Sequence, residues 1–188
     1  MKKIDVRFSA GDMNLLKAMI GKTMQKYKCD PFEFSASVYG VVGLMVDNNG
    51  YSFTNLIETA DYFGQQEDVA MFKFQAATYD DINSMIENQI MNETPVQNMI
   101  SSIDIVNEHQ ELYKNNVKIY DVQLTRGIIF KFKDGYEISL EKEIWFSENI
   151  TVNRGYELIK KFSPVSEFLE SWSDEYHGEC SREIVKIK

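Results

Sequence analysis

Residues 126–143 read RGIIFKFKDGYEISLEKE, and this stretch decides the fold. Apolar side chains alternate from Ile128 to Phe132, break at Asp134-Gly135, and alternate again from Tyr136 to Leu140. A period of two marks strands, and Asp-Gly accepts the positive φ of a tight primed turn. The spacing predicts an antiparallel hairpin with Phe130, Phe132, Ile138 and Leu140 on one core-facing side. Glu137, Glu141 and Glu143 fall on the opposite side, which on an antiparallel strand is ordinarily solvated. About 87 positions earlier, GVVGLMVDNNGYSFTNL over 40–56 repeats the arrangement. It predicts strands 38–46 and 51–57 around Asp47–Gly50, and raises the reading of a duplicated β-rich unit.

Working outward, Ile4–Phe8 alternates like a strand. Ser9 stands three before Asp12, an approximate capping box, and Leu15, Leu16, Met19, Ile20, Thr23, Met24 and Tyr27 form one helical stripe. A helix ending at Cys29-Asp30-Pro31 follows, burying Leu16, Met19, Ile20 and Met24. Strands are predicted at 69–75, 103–113 and 117–124, the last two joined at Asn115-Asn116. Helices are predicted at 80–91, capped by Thr78, and at 155–162 and 165–172; the segment 92–102 reads ambiguously, with Pro95 able to start a short helix. Residues 147–153 read as irregular, and 182–187 as a final strand. Most links are too short for parallel crossovers. The class is α+β, mainly antiparallel sheet with flanking helices, as a single domain over 1–188; sub-lobes 1–91 and 103–188 are the alternative division.

Charge is unevenly distributed. Residues 1–28 hold seven Lys/Arg and two acids, 29–113 hold fourteen acids and one base, and 114–188 hold twelve bases and thirteen acids. The acidic middle argues against direct DNA binding there, since like charges repel. It suits a basic protein groove, and the opposed ends can steer copies of the chain into a homodimer. No apolar run reaches the ~20 residues of a membrane span, and no apolar stretch follows the basic start as in a signal peptide. Cys29 and Cys180 lie far apart without C-x-x-C spacing. They read as unpaired thiols of a reducing, cytoplasmic compartment.

Chemical motifs are sparse. Gly21-Lys22-Thr23 imitates the end of a P-loop but has Leu16 where the motif needs Gly. His109 has Glu108 and Glu111 beside it, and His177 has Asp174, Glu175, Glu179 and Cys180 nearby. Neither segment offers three metal ligands at a recognised spacing. No nucleophile elbow or Cys–His pattern stands out, so no catalytic residue, metal or cofactor is assigned.

The segments MKKIDVRFSAGDMNLLKAMIGKTMQKYKCDPFEFSASVYGVVGL, LTRGIIFKFKDGYEISLEKEIWFSENITVNRGYELIKKFSP and EYHGECSREIV resemble a group of small phage and mobile-element proteins of low-GC anaerobic bacteria. That group includes anti-CRISPR inhibitors of the type II RNA-guided Cas nuclease. The resemblance spans nearly the whole chain and brings no catalytic residues. It implies a non-enzymatic inhibitor in the bacterial host cytoplasm. Such a protein binds the nuclease, with or without its guide RNA, and blocks target DNA recognition or cleavage. Three acidic patches are the expected contacts: Glu58, Asp61, Glu67 and Asp68; Asp104, Glu108 and Glu111; and Glu167, Glu170, Asp174, Glu175 and Glu179. The first and third read as having no base nearby. The competing expectation is a mobile-element enzyme or small-ligand domain with a cleft near His109 or His177.

Overall fold

The 126–143 hairpin forms as expected within a sheet that dominates the chain. The computed structural model describes residues 4–32, 35–62, 65–143, 147–170 and 175–188. In chain order it contains β1 (Ile4–Val6), α1 (Ala10–Lys17), β2 (Thr23–Cys29), β3 (Ser37–Tyr39), β4 (Val41–Val46), β5 (Asn49–Tyr62) and β6 (Gln65–Ala77). There follow β7 (Asn92–Lys114), β8 (Val117–Phe132), β9 (Glu137–Lys142), β10 (Asn149–Gly155), α2 (Ser166–Glu170) and β11 (Tyr176–Ile187). Among the described residues the architecture is therefore mostly antiparallel sheet with two short helices, more sheet-dominated than a balanced α+β domain.

The hydrogen-bonded order is β3-β10-β9-β8-β7-β2-β4-β5-β6, with β1 parallel to β8 and β11 antiparallel to β7. Strands β3 and β4 are one run of chain bent at Gly40, whose φ of +69° few side chains accept. The run pairs with β10 before the bend and with β2 and β5 after it. The sheet path thus returns on itself. Leu16, Met24, Phe53, Phe130, Phe132, Ile138 and Leu140 fill the interior, each at most 2% exposed. Burying each such side chain contributes roughly 1.5–3 kcal/mol.

Turn chemistry fixes the register. Asp47-Asn48 and Asn115-Asn116 all have positive φ and make two-residue primed turns, as Asn and Asp tolerate. The Asp134-Gly135 turn is built differently. Gly135 N–H donates to the Phe132 carbonyl at 3.0 Å, Phe132 N–H to the Tyr136 carbonyl at 2.9 Å, and Gly135 has φ +85°. That is a three-residue loop with a glycine bulge, not the expected primed pair. The two hairpins accordingly differ in construction.

Several helical expectations are corrected. The capping box forms, with Ser9 Oγ accepting from Asp12 N–H, but α1 ends at Lys17 and 23–29 is a strand. A bulge between Met24 and Lys26 lets Met24 and Tyr27 share the core side, so a strand imitates helical spacing. Leu16, Met19 and Met24 are buried as expected, while Ile20 is half-buried. Pro95 starts no helix: it pairs with Lys26 beside the same bulge, where a missing N–H is tolerated. Residues 147–153 contribute to a regular strand, and 155–162 holds only a 3-10 turn at Leu158–Lys161. Residues 80–91 form no α-helix. A 3-10 turn at Tyr79–Asp81 runs into extended chain, and Asn88 has φ +61°. Ser, Asn and Asp compete with helix through local side-chain bonds.

The outer face of β8 and β9 is covered, not solvated. Leu158 and Phe162 pack on Val106 and Ile129, and Phe168 of α2 packs on Leu112, Tyr120, Val122 and Leu124. Glu137 and Glu141 are therefore buried, and Glu143 is half-buried. Each carboxylate is satisfied. Glu137 accepts from Leu158 N–H at 2.7 Å, and Glu141 from Arg126 Nε at 3.1 Å and Ser163 N–H at 2.9 Å. Burial pushes the Glu141 carboxyl up, against the pull of Arg126.

Candidate functional site

Strands β7 and β8 bring three potential ligands to one place. His109 and Glu111 share a face two residues apart, and Asp121 lies directly across from Glu111. His109 Nε2 is 2.8 Å from Asp121 Oδ1 and 3.6 Å from Glu111 Oε1. One ligand atom from each residue lies within 4.8 Å of the others, which suits a divalent cation. Lys118, however, meets the same Glu111 oxygen and stands 3.5 Å from Asp121 Oδ2. The lysine ammonium neutralises the cluster from within, so a metal must displace it. Sequence spacing alone missed Asp121, because only strand pairing brings it to His109.

A groove of about 380 Å³ opens beside this cluster, lined by Arg7, Asn107, Glu108, His109, Gln123 and Arg182 among others. His177 stays away from it. His177 on β11 pairs with Tyr113 of β7, whereas His109 of β7 pairs with Ser181. His177 is exposed, with Glu179 at 3.5 Å.

Half of the expected acidic contacts are already engaged by a lysine or arginine. Asp104 and Glu108 are each 4% exposed; Asp104 pairs with Lys131 at 2.9 Å, and Arg182 Nε donates to Glu108 at 3.0 Å. Glu111 is held by Lys118, Glu58 by Lys73, Glu167 by Arg126 at 2.9 Å and Glu175 by Lys114 at 3.0 Å. The expectation that the first and third patches lack bases is thus corrected at Glu58, Glu167 and Glu175. Pairing joins residues distant in sequence, which a linear scan for neighbouring bases cannot see. Glu179 remains exposed. Asp61, Glu67 and Asp68 stand near the far end of the β5–β6 hairpin, Glu170 closes α2, and Asp174 lies outside the described residues.

A different acidic surface emerges at 79–91. Tyr79 and Ile82 anchor the segment on Val41, and Met85 lies over Gly40 near Leu56. Met85, Ile86 and Ile90 are left 46%, 47% and 82% exposed. Asp80, Asp81 and Glu87 are exposed on the same segment. The helix expectation hid this surface, since it turned those apolar residues toward the core. At the root of the segment, Lys26 donates to Glu93 at 2.7 Å, and that bond holds the Glu93 carboxyl below its usual range.

No helix among the described residues is long and apolar enough to cross a membrane. No protein family matches the chain, no curated protein is similar to it, and no solved structure matches its fold.

Proposed function

We propose that this chain is a non-enzymatic, cytoplasmic inhibitor that binds a type II RNA-guided nuclease and blocks recognition or cleavage of target DNA. The resemblance of the sequence segments supplies the partner. The observation that carries the reading is the 79–91 surface, where exposed Met85, Ile86 and Ile90 share one short segment with exposed Asp80, Asp81 and Glu87. Contiguous exposed apolar side chains mark interaction surfaces, and methionine and aromatic residues favour interface cores. The nuclease holds nucleic acid in positive channels and reads its DNA signal with arginines. Carboxylates beside an apolar anchor suit such a channel. Asp61, Glu67, Asp68 and Glu179 stay in the proposed contact set, while buried Asp104 and Glu108 leave it.

The test is target cleavage by guide-loaded type II nucleases with this protein in molar excess. Cleavage is expected to stop, and inhibition to weaken as salt shortens the Debye length from about 8 Å toward 3 Å. Undiminished cleavage by several such nucleases overturns the reading. The His109–Glu111–Asp121 cluster favours one second reading, a small-ligand or metal-binding domain. Bound zinc or manganese in the purified protein, lost in His109→Ala, is its signature.

A further inference from the structure

Asp30 is a buried carboxylate without a counterpart. It follows the last residue of β2 at 5% exposure, and among the described residues neither oxygen has a hydrogen-bond partner. Leaving an ionised carboxylate unpaired away from water is costly, so such a group calls for a donor. Asp30 lines a groove of about 400 Å³ whose apolar walls include Pro31, Val38 and Ile86. Three of the other polar side chains there are engaged by acceptors of their own. Ser37 Oγ donates to Glu143 at 2.6 Å, Asn149 Nδ2 to Glu143 at 3.1 Å, and Tyr39 Oη to Glu148. The neighbouring cations are also engaged: Lys28 Nζ lies 4.6 Å from the Tyr79 ring centre, and the Arg154 guanidinium 6.0 Å from that of Phe32.

We infer that this groove receives the side chain of one lysine or arginine of a partner protein, with the cationic head on Asp30 and the aliphatic stem along Pro31, Val38 and Ile86. An apolar stem ending in a charge matches apolar walls ending in a carboxylate. A bare metal ion is a poorer match, because the described lining offers a single carboxylate and no imidazole. Ile86 also belongs to the 79–91 surface, so the inference deepens the binding reading above and rests on it for the partner. A charge-assisted bond in a shielded site would make this cation an anchor of the interface.

The test has two arms. In the first, the full chain is titrated with N-acetyl-arginine methylamide and N-acetyl-lysine methylamide, with the neutral norleucine analogue as control, and followed by amide NMR. The cationic probes are expected to shift residues 28–39 and 86–89 saturably, and the neutral one not. Asp30→Asn keeps the shape and removes the charge. It should melt no lower than wild type and bind the cations roughly ten- to a hundred-fold more weakly. Ile86→Ser, on the exposed segment, gives a variant that leaves β2 untouched and should weaken both cationic probes several-fold. In the second arm, Asp30→Asn is assayed for inhibition of the guide-loaded nuclease, with a comparable loss expected. Equal binding of cationic and neutral probes, or of cations to wild type and Asp30→Asn, overturns the inference whatever the nuclease does. Selective cation binding with an uninhibited nuclease upholds the groove and overturns only the nuclease as partner.

Discussion

Replacing Lys142 with methionine should stabilise the protein at neutral pH and destabilise it in alkali. Lys142 sits on β9, 1% exposed, and its ammonium donates to the Ala70 carbonyl of β6 while lying 5.1 Å from the Phe72 ring centre. Burial, with a like-charge push from Arg126, lowers its pKa from 10.5 to about 7. Below pH 7 both folded and unfolded chains carry the proton, so the folded state bears the full penalty. A shift of that size corresponds to about 5 kcal/mol. Between pH 7 and 10.5 the folded chain has released the proton and the unfolded chain has not, so the penalty shrinks and then vanishes. Lys142→Met removes the charge and keeps the length, but it leaves the Ala70 carbonyl without this donor, at a cost of about 1–3 kcal/mol. The variant should therefore be more stable by about 2–4 kcal/mol near pH 6.5, and less stable by about 1–3 kcal/mol near pH 10.5. Urea unfolding of both proteins at intervals across that range measures the difference. Taking the difference cancels the thiols of Cys29 and Cys180, which burial pushes up to about 12. A difference that does not vary with pH, or a less stable variant at pH 6.5, would refute the reasoning.

Gly135→Val should cost on the order of 1–3 kcal/mol through strain alone, since nothing within 4 Å obstructs a side chain there; Gly135→Asn should recover much of it. Calorimetric melting of the pair separates backbone strain from crowding. Leu16→Ala removes a fully buried side chain of the capped helix α1 and should destabilise by roughly 2–5 kcal/mol in urea titration. Reversing Asp80, Asp81 and Glu87 to lysine should abolish nuclease inhibition with the melting temperature nearly unchanged, because exposed substitutions usually move stability by about 0.5 kcal/mol. Sedimentation at micromolar concentration should show a homodimer that weakens with salt; a monomer at every ionic strength counts against charge-steered self-association.

The strands were legible where local chemistry and burial agree. Phe130, Phe132, Ile138 and Leu140 alternate, and the Asn115-Asn116 pair demands a primed turn, so the pairing of β7, β8 and β9 could be read directly. The helices were less legible for two distinct reasons. In β2 a bulge shifts the alternation and produces a three-residue spacing. At 80–91 the apolar period is real, yet Ile86 and Ile90 stay 47% and 82% exposed instead of entering the core. The ionic site was partly hidden for a third reason. Glu108–Arg182 and His109–Asp121 are contacts across strand registers, and register depends on turns and bulges far from either residue. Asp30 was visible only as the residue before a proline; its isolation follows from where β2 ends and from the bonds that Ser37 and Asn149 make instead.

Amide hydrogen exchange of the full chain, alone and with a saturating guide-loaded type II nuclease, tests the binding account most directly. The account predicts that residues 79–91 gain protection in the complex while the β7–β8 hairpin, already hydrogen-bonded on both sides, changes little. Unchanged exchange across 79–91, or protection confined to the open edge of β11, would contradict it.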